Sequence, residues 1–396
     1  MPIKSTVLRC LVISSTFQLA CSVGTAGVST HAGAQPPGFG TPVALQPAVG
    51  NAFGPLMSMA SDGTNFLLAA EQFPGAAPVA PSNTPPSLVG TLLAPSGLVL
   101  SRIFLSRPSV GLAGQQLIFD GTNYVFAGAA GTASGAGEFI SQTGVLFDGP
   151  EGGDGGTSAA FGFSSNGSGN LLVTAGSGVI TSSGAYAPAD VAYSVTISGS
   201  GPLGGGEIAG TLGSGPFVLA SDGTNYLCLC GVGATLLNGE GLLLQSAPLP
   251  LVTVPDGGTE ALAFGGGGYL VLWTQASATQ GLTTIAAIRL TSAGVPIDTT
   301  AIAVTADPAN VSNIGASFFD GQFWIVWQAG NPSAVYAARV SPAGVVASSG
   351  TDGMLVATSA ANPILTTNAN SGFLAWNSID ASGITGVQVQ SISPIQ

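Results

Sequence analysis

Lysine and histidine are nearly missing: Lys4 is the only lysine and His31 the only histidine in 396 residues. Both lie at the extreme N-terminal end. A histidine-based triad in the remainder is therefore excluded, as is Schiff-base chemistry on a lysine. Charged residues make up only 6% of the chain, against roughly 25% in ordinary globular proteins. Beyond residue 40 the cations are Arg102, Arg107, Arg289 and Arg339; these four against 18 acids give a formal charge of −14. Phosphate-based nucleic-acid binding needs a basic face, and none exists. Attraction to anionic lipid surfaces is excluded on the same ground. Cysteine is sparse too, with Cys10 and Cys21 near the start and Cys228 and Cys230 in one apolar run. The last two stand on one face of a strand, where neighbours are poorly placed to bond to each other. A buried, inert pair of thiols is the plain reading.

Abundant instead are 60 glycines and 26 prolines, yet 45% of the chain is hydrophobic. Strand-like alternation persists between the turn residues, so the pattern is many short strands, not disorder. The run Ser221-Asp222-Gly223-Thr224-Asn225-Tyr226-Leu227-Cys228-Leu229-Cys230 recurs along the chain. Asp-Gly is a two-residue hairpin signal, and an aromatic with alternating apolar residues follows it. Close copies stand at Ser61–Leu68 and Asp120–Phe126, looser ones at Asn166–Val173, Gly265–Trp273, Asp320–Trp327 and Asn370–Trp376. Taking Phe66, Tyr124, Leu171, Tyr226, Tyr269, Phe323 and Phe373 as anchors, the spacing runs from 43 to 58 residues. A second small turn ending in Gly97, Gly144, Gly184, Gly241, Gly294 or Gly344 follows within each unit. One unit reads strand, Asp-Gly turn, strand, loop, strand, Gly turn, strand. Four short strands in about 50 residues is the signature of a propeller blade.

The first residues read differently. Lys4 and Arg9 precede a modestly apolar run at 10–20, the pattern of an export signal and too short to span a bilayer. Leu19-Ala20-Cys21-Ser22 resembles a bacterial lipobox, which implies lipidation of Cys21. Ala32-Gly33-Ala34 resembles an ordinary cleavage site, and both endings stay open. The expected division is an export signal at 1–21, a Gly/Ser/Ala/Pro tether at 22–40 and a propeller at 41–396.

The run Asp320-Gly321-Gln322-Phe323-Trp324-Ile325-Val326-Trp327, followed by Val335-Tyr336-Ala337-Ala338-Arg339-Val340-Ser341-Pro342-Ala343-Gly344, resembles repeats of bacterial secreted β-propeller proteins. The resemblance implies fold and export; that family is largely uncharacterised, so no catalytic residue is carried over. The expectation is an all-β, seven-bladed β-propeller of four-stranded blades. The last unit ends at its Gly turn, and Gly40-Thr41-Pro42-Val43 looks like a fourth strand. The last blade is therefore expected to be closed by the N-terminal strand, which hides sheet edges.

Candidate sites are few. Asp62, Asp120, Asp222 and Asp320 stand in register and can form a carboxylate ring or merely cap their own turns. Asp148, Glu151 and Asp154 lie on a Gly-rich loop whose oxygens suit Ca²⁺; the same loop reads equally as a solvated connection. Trp273 and Trp327 fall four residues after their anchors and Trp376 three after Phe373. They either pack between blades or line a pocket for a sugar ring. Arg289 and Arg339 are in register and expected to pair with acids of a neighbouring blade. Acid–base chemistry by carboxylates alone, as in glycoside hydrolysis, stays open. The expectation is a non-enzymatic binding or scaffold protein on a bacterial cell surface, with a glycan or protein ligand. The alternative is a carboxylate-dependent enzyme acting on glycans. No cofactor beyond calcium is implied, membrane attachment is expected only through a lipid on Cys21, and the chain is expected to be a monomer.

Overall fold

The computed structural model describes residues 36–395, apart from 76–85, 106–115, 131–133, 148–160, 168–169, 181–185, 196–203, 208–217, 231–232, 245–259, 278–280, 307–308 and 348–352. Side chains at 127–139, 161, 163, 170–217, 230–233 and 260 are outside the description as well.

The described strands form antiparallel sheets at 51–104, 116–147, 161–207, 218–237, 260–303, 312–358 and 360–392. They are called the first to sixth and the last sheet below. The first strand of each is Asn51–Ser61, Gln116–Phe119, Phe161–Ser165, Val218–Ser221, Glu260–Gly265, Ser312–Phe319 or Ala360–Thr367. Each of these lies beside the first strand of the next sheet, and Ala360–Thr367 lies beside Asn51–Ser61. The sheets thus stand radially around an axis in a β-propeller. Val43–Leu45 pairs antiparallel with Gly383–Ile392 and becomes the outer strand of the last sheet. The two ends of the chain therefore join in one sheet.

Uniform four-stranded units are not what forms. Five sheets have four strands, the fourth sheet has three described strands, and the sixth has five. The sixth sheet shows why: its outer strand Val346–Ala347 pairs only with Arg339 and Val340. The free edge of Ala334–Ala337 is then taken by Met354–Thr358, which satisfies backbone groups that would otherwise lie unpaired.

The core is not central but lies between neighbouring sheets. One cluster joins Leu227 and Leu229 to Tyr269, Val271 and Trp273, and another joins Leu270 and Leu272 to Phe323, Ile325 and Trp327. Trp324 packs with Leu374 and Trp376. Phe66 stacks on Phe373 across the junction of last and first sheets, centroids 4.6 Å apart. Where side chains are described, alternate residues of the second strands face opposite neighbours, so those sheets bury both faces. That is why second strands read as near-continuous apolar runs.

The Gly turns explain their own residue. Gly344 has φ +83°, and a Cβ there would stand 3.0 Å from the Arg289 guanidinium carbon of the preceding sheet. Glycine supplies both the left-handed backbone and the close approach.

Candidate functional site

The Asp-Gly turns occupy one end of the ring, and most are not two-residue hairpins. Only Asp320-Gly321 is, with Phe319 paired to Gln322 and φ of +52° and +70°. Asp62, Asp120 and Asp222 open four-residue loops, because Thr and Asn follow the glycine. Asp62 Oδ1 accepts N–H bonds from Thr64 (2.8 Å) and Asn65 (2.6 Å), and Asp120 and Asp222 repeat the arrangement. Asn368 plays the same part in the last sheet, accepting from Asn370 and Ser371. The second strand there begins at Gly372, so Trp376 falls four residues after Gly372 as Trp273 and Trp327 do after Tyr269 and Phe323. Of the two readings, turn capping holds for Asp62, Asp120 and Asp222; Asp320 instead accepts from the Ile395 N–H at 2.8 Å.

Aromatic hydroxyls tie these turns together. Tyr124 Oη donates to the Asn65 carbonyl of the preceding sheet at 3.2 Å, and Tyr226 Oη accepts from Asn166 N–H at 3.1 Å. Burial pushes the Tyr226 phenol up to about 12. Burial raises Tyr124 and Tyr269 further, and the neighbouring Asp62 and Asp222 carboxylates add to it.

The remaining residues singled out in the sequence fall as follows. Trp273, Trp327 and Trp376 are 2%, 1% and 3% exposed; their rings pack between sheets and offer no face to a sugar. Asp148, Glu151, Asp154 and Cys21 lie outside the described residues. No group of three His, Cys, Asp or Glu that could hold a metal occurs among the described residues. Arg289 pairs with Asp298 of its own sheet, contrary to expectation, and reaches across only to the Pro342 carbonyl at 2.6 Å. That bond holds the Asp298 carboxyl below the usual carboxylate range. Arg339 lies over the Trp324 ring, 5.4 Å from its centroid. Cys228 is buried but disulfide-bonded, with its partner outside the described side chains, so it is not the inert thiol expected.

The opposite mouth holds a polar cluster that the sequence did not reveal. The position after each buried tryptophan is Thr274, Gln328 or Asn377, and the equivalent in the first sheet is Glu71. Facing them, the first strands carry register breaks between Phe53 and Leu56, Ser312 and Gly315, and Ala361 and Ile364. Asn313 and Asn362 sit in these breaks with φ +52° and +51°, a conformation Asn tolerates better than most residues. Gln328 Oε1 accepts from Asn313 Nδ2 (3.0 Å) and from the Asn362 N–H (2.9 Å). Asn362 Nδ2 donates to Asn377 Oδ1 at 3.0 Å. Asn377, fully buried, accepts from Leu56 N–H (3.2 Å) and donates to the Gly54 carbonyl (3.0 Å). Carboxamides thus run from the sixth sheet through the last to the first, ending at exposed Asn313. Glu71 is half-buried beside Gly54, and burial raises its carboxyl above the ordinary glutamate range. Bulges with left-handed residues concentrate where backbones are aimed at a ligand. Asn313 is the carboxamide of this run that is exposed to solvent.

Register was the missing signal. Glu71 follows alanines, not a tryptophan; it falls five residues after Phe66 as Gln328 does after Phe323, but its equivalence to Asn377 shows only once strands are paired. Glu260, at the start of the fifth sheet's first strand, pairs with Trp273 and so stands at this same end.

No family model and no curated protein matches the chain. Solved structures do. A lectin, BP39L from Burkholderia pseudomallei, aligns over 87% of this chain and 95% of its own at 13% identity, with a TM-score of 0.53. A Dyadobacter fermentans protein of unknown function aligns over 90% of this chain and 100% of its own, at 13% identity and a TM-score of 0.44. The WD40 domain of Neurospora crassa Pan2 gives 9% identity and 0.48, covering 87% and 90%. At such identities the likeness to the lectin is one of fold, and the chain is an all-β β-propeller.

Proposed function

We propose that this chain is a non-enzymatic binding protein, exported and displayed at a bacterial cell surface, that holds a neutral glycan at the carboxamide-lined mouth. Each of its seven sheets is one blade of the ring. The observation that carries the reading is the hydrogen-bonded run Gln328–Asn313–Asn362–Asn377. Pre-oriented amides match the mixed donor and acceptor character of sugar hydroxyls without desolvating a charge. The fold likeness to a lectin is consistent with it. In this reading residues 1–21 direct export, Cys21 carries the lipid, and 22–40 tether the propeller.

A glycan array probed with the purified protein tests this directly. Binding to a neutral glycan class, lost in Asn313→Ala, is the expected result. A blank array would remove the sugar reading. Mass spectrometry of the native N-terminus tests the anchor: lipidated Cys21 supports it, and a chain beginning at Gln35 removes it.

Glu71 favours the alternative, a carboxylate-dependent glycan-active enzyme. A half-buried glutamate with a raised pKa is the form a general acid takes. Hydrolysis of an array-positive glycan that disappears in both Glu71→Gln and Glu260→Gln would establish this alternative over plain binding.

A further inference from the structure

The residue after each described Gly turn is aliphatic and exposed: Leu98 65%, Val145 60%, Leu242 48%, Val295 52% and Val345 65%. Each follows the turn after the third strand of its sheet, in five different sheets. Single exposed aliphatics are ordinary; five at one repeat position are not accounted for by that. The turns before them, from Pro95-Ser96-Gly97 to Pro342-Ala343-Gly344, carry no charge except Glu240; the Asp-Gly turns at this end add the acids Asp62, Asp120, Asp222 and Asp320. Strand direction places all five on the end of the ring that holds the Asp-Gly turns, away from the carboxamide mouth. The chain also enters the propeller there. Gly40 N–H donates to the Ser391 carbonyl, and Val43 begins the outer strand of the last sheet at that same end. A cleft of about 440 Å³ between Val43–Gln46 and Ser96–Val99 adjoins this entry point, with Arg102 on its wall.

We infer that this rim rests on a phospholipid bilayer, with the aliphatic residues dipping into the interface of neutral, zwitterionic lipid. The inference rests on the reading of Cys21 as a lipid anchor; the described chain enters the propeller at this rim, where Gly40 bonds to Ser391. Points spread one per sheet do not make the contiguous patch a protein partner needs, but a plane meets all of them together. The formal charge of −14 selects zwitterionic over anionic lipid. Arg102, exposed in the cleft and donating to the Gln46 carbonyl at 2.7 Å, is placed to meet a headgroup phosphate. Docked this way, the propeller holds its carboxamide mouth outward, toward a ligand in the surroundings.

The full chain carrying Cys21→Ser, which has no lipid, is the material for the test. It should sediment with phosphatidylcholine vesicles, and less as phosphatidylglycerol is mixed in. Changing Leu98, Val145, Val295 and Val345 to Ser should weaken sedimentation by roughly tenfold or more, from the apolar area withdrawn. Hydrogen exchange of the unmutated rim, read with and without vesicles, guards against a variant that fails to fold. Slowed exchange at the Gly turns 94–98, 141–145, 291–295 and 341–345, with the 313 and 362 segments unchanged, is expected. No sedimentation, binding that grows with phosphatidylglycerol, or unchanged exchange at the turns would each overturn the inference. Anchor and rim fail separately. An unlipidated native N-terminus with rim binding intact removes the anchor alone, and lipidated Cys21 without rim binding removes the rim alone.

Discussion

Asn377 closes the ring chemically, and replacing it tests whether the carboxamide mouth is also a structural clamp. Its Oδ1 accepts from Leu56 N–H at 3.2 Å and from Asn362 Nδ2, and its Nδ2 donates to the Gly54 carbonyl at 3.0 Å. Two of these three bonds cross from the last sheet to the first. Asn377→Ala strands the Leu56 N–H and the Gly54 carbonyl, each costing about 1–3 kcal/mol when buried without a partner. The expected loss is about 3–4 kcal/mol in urea unfolding at pH 7. Asn377→Asp separates geometry from chemistry. The acceptor oxygen remains, but the second oxygen now faces the Gly54 carbonyl, which repels a carboxylate and accepts from a carboxylic acid. The folded-state pKa is thus raised above the unfolded value near 4. The folded state binds the extra proton between those values, so stability falls with rising pH by about 1.4 kcal/mol per unit. Asn377→Asp should approach the unmutated protein at pH 4 and fall well below it at pH 7. A loss under about 1 kcal/mol in Asn377→Ala, or an equal deficit of Asn377→Asp at both pH values, would refute the clamp.

Three further outcomes follow from the same geometry. Tyr226→Phe removes the acceptor for Asn166 N–H and should cost about 1 kcal/mol. Because burial lifts this phenol to about 12, its contribution is present below pH 10 and lost as pH rises from there toward 12; the variant should lack that part of the alkaline loss. Gly344→Ala combines a left-handed backbone with a Cβ 3.0 Å from Arg289, whereas Gly223→Ala meets nothing within 4 Å. Both should lose about 1 kcal/mol from backbone strain, and thermal unfolding should show a larger loss at 344. Asp298→Asn weakens the bond to Arg289 and should cost about 1–2 kcal/mol at neutral pH. The depressed carboxyl stabilises above pH 4 and that contribution fades as pH falls through its folded value, so acid titration should narrow the gap between variant and unmutated protein.

Local chemistry was legible wherever neighbours in sequence are also neighbours in space. Asp62, Asp120 and Asp222 cap loops built from their own next three residues, so the recurring Ser-Asp-Gly-Thr-Asn run announced both turn and period. The Gly turns were readable for the same reason; the N-terminal outer strand, which pairs Val43 with Val389, was readable instead from its likeness to the fourth strand of another unit. The tryptophans were ambiguous, since a ring that packs against the next sheet and one that lines a pocket share one alternation pattern. Burial decided for packing. Arg289 misled because its register with Arg339 pointed across blades, while Asp298, nine residues on, folds back onto it. Cys228 misled because strand geometry disfavours bonding between neighbours, yet it is disulfide-bonded.

Composition alone set the expectation against nucleic-acid binding and against histidine or lysine catalysis beyond residue 40, because that stretch holds four arginines, no lysine and no histidine. Period and turn chemistry determined that the chain is all-β and propeller-like. Only tertiary structure could place Asn377 in register with Glu71 and Gln328. The bulges that bring Asn313, Asn362 and Gly54 opposite them arise from strand pairing, not from any local run. Likewise, only the direction of the strands shows that five separate aliphatic residues and the incoming chain share one rim. Such alignments are set by how sheets close around an axis, a long-range constraint that no window of sequence contains.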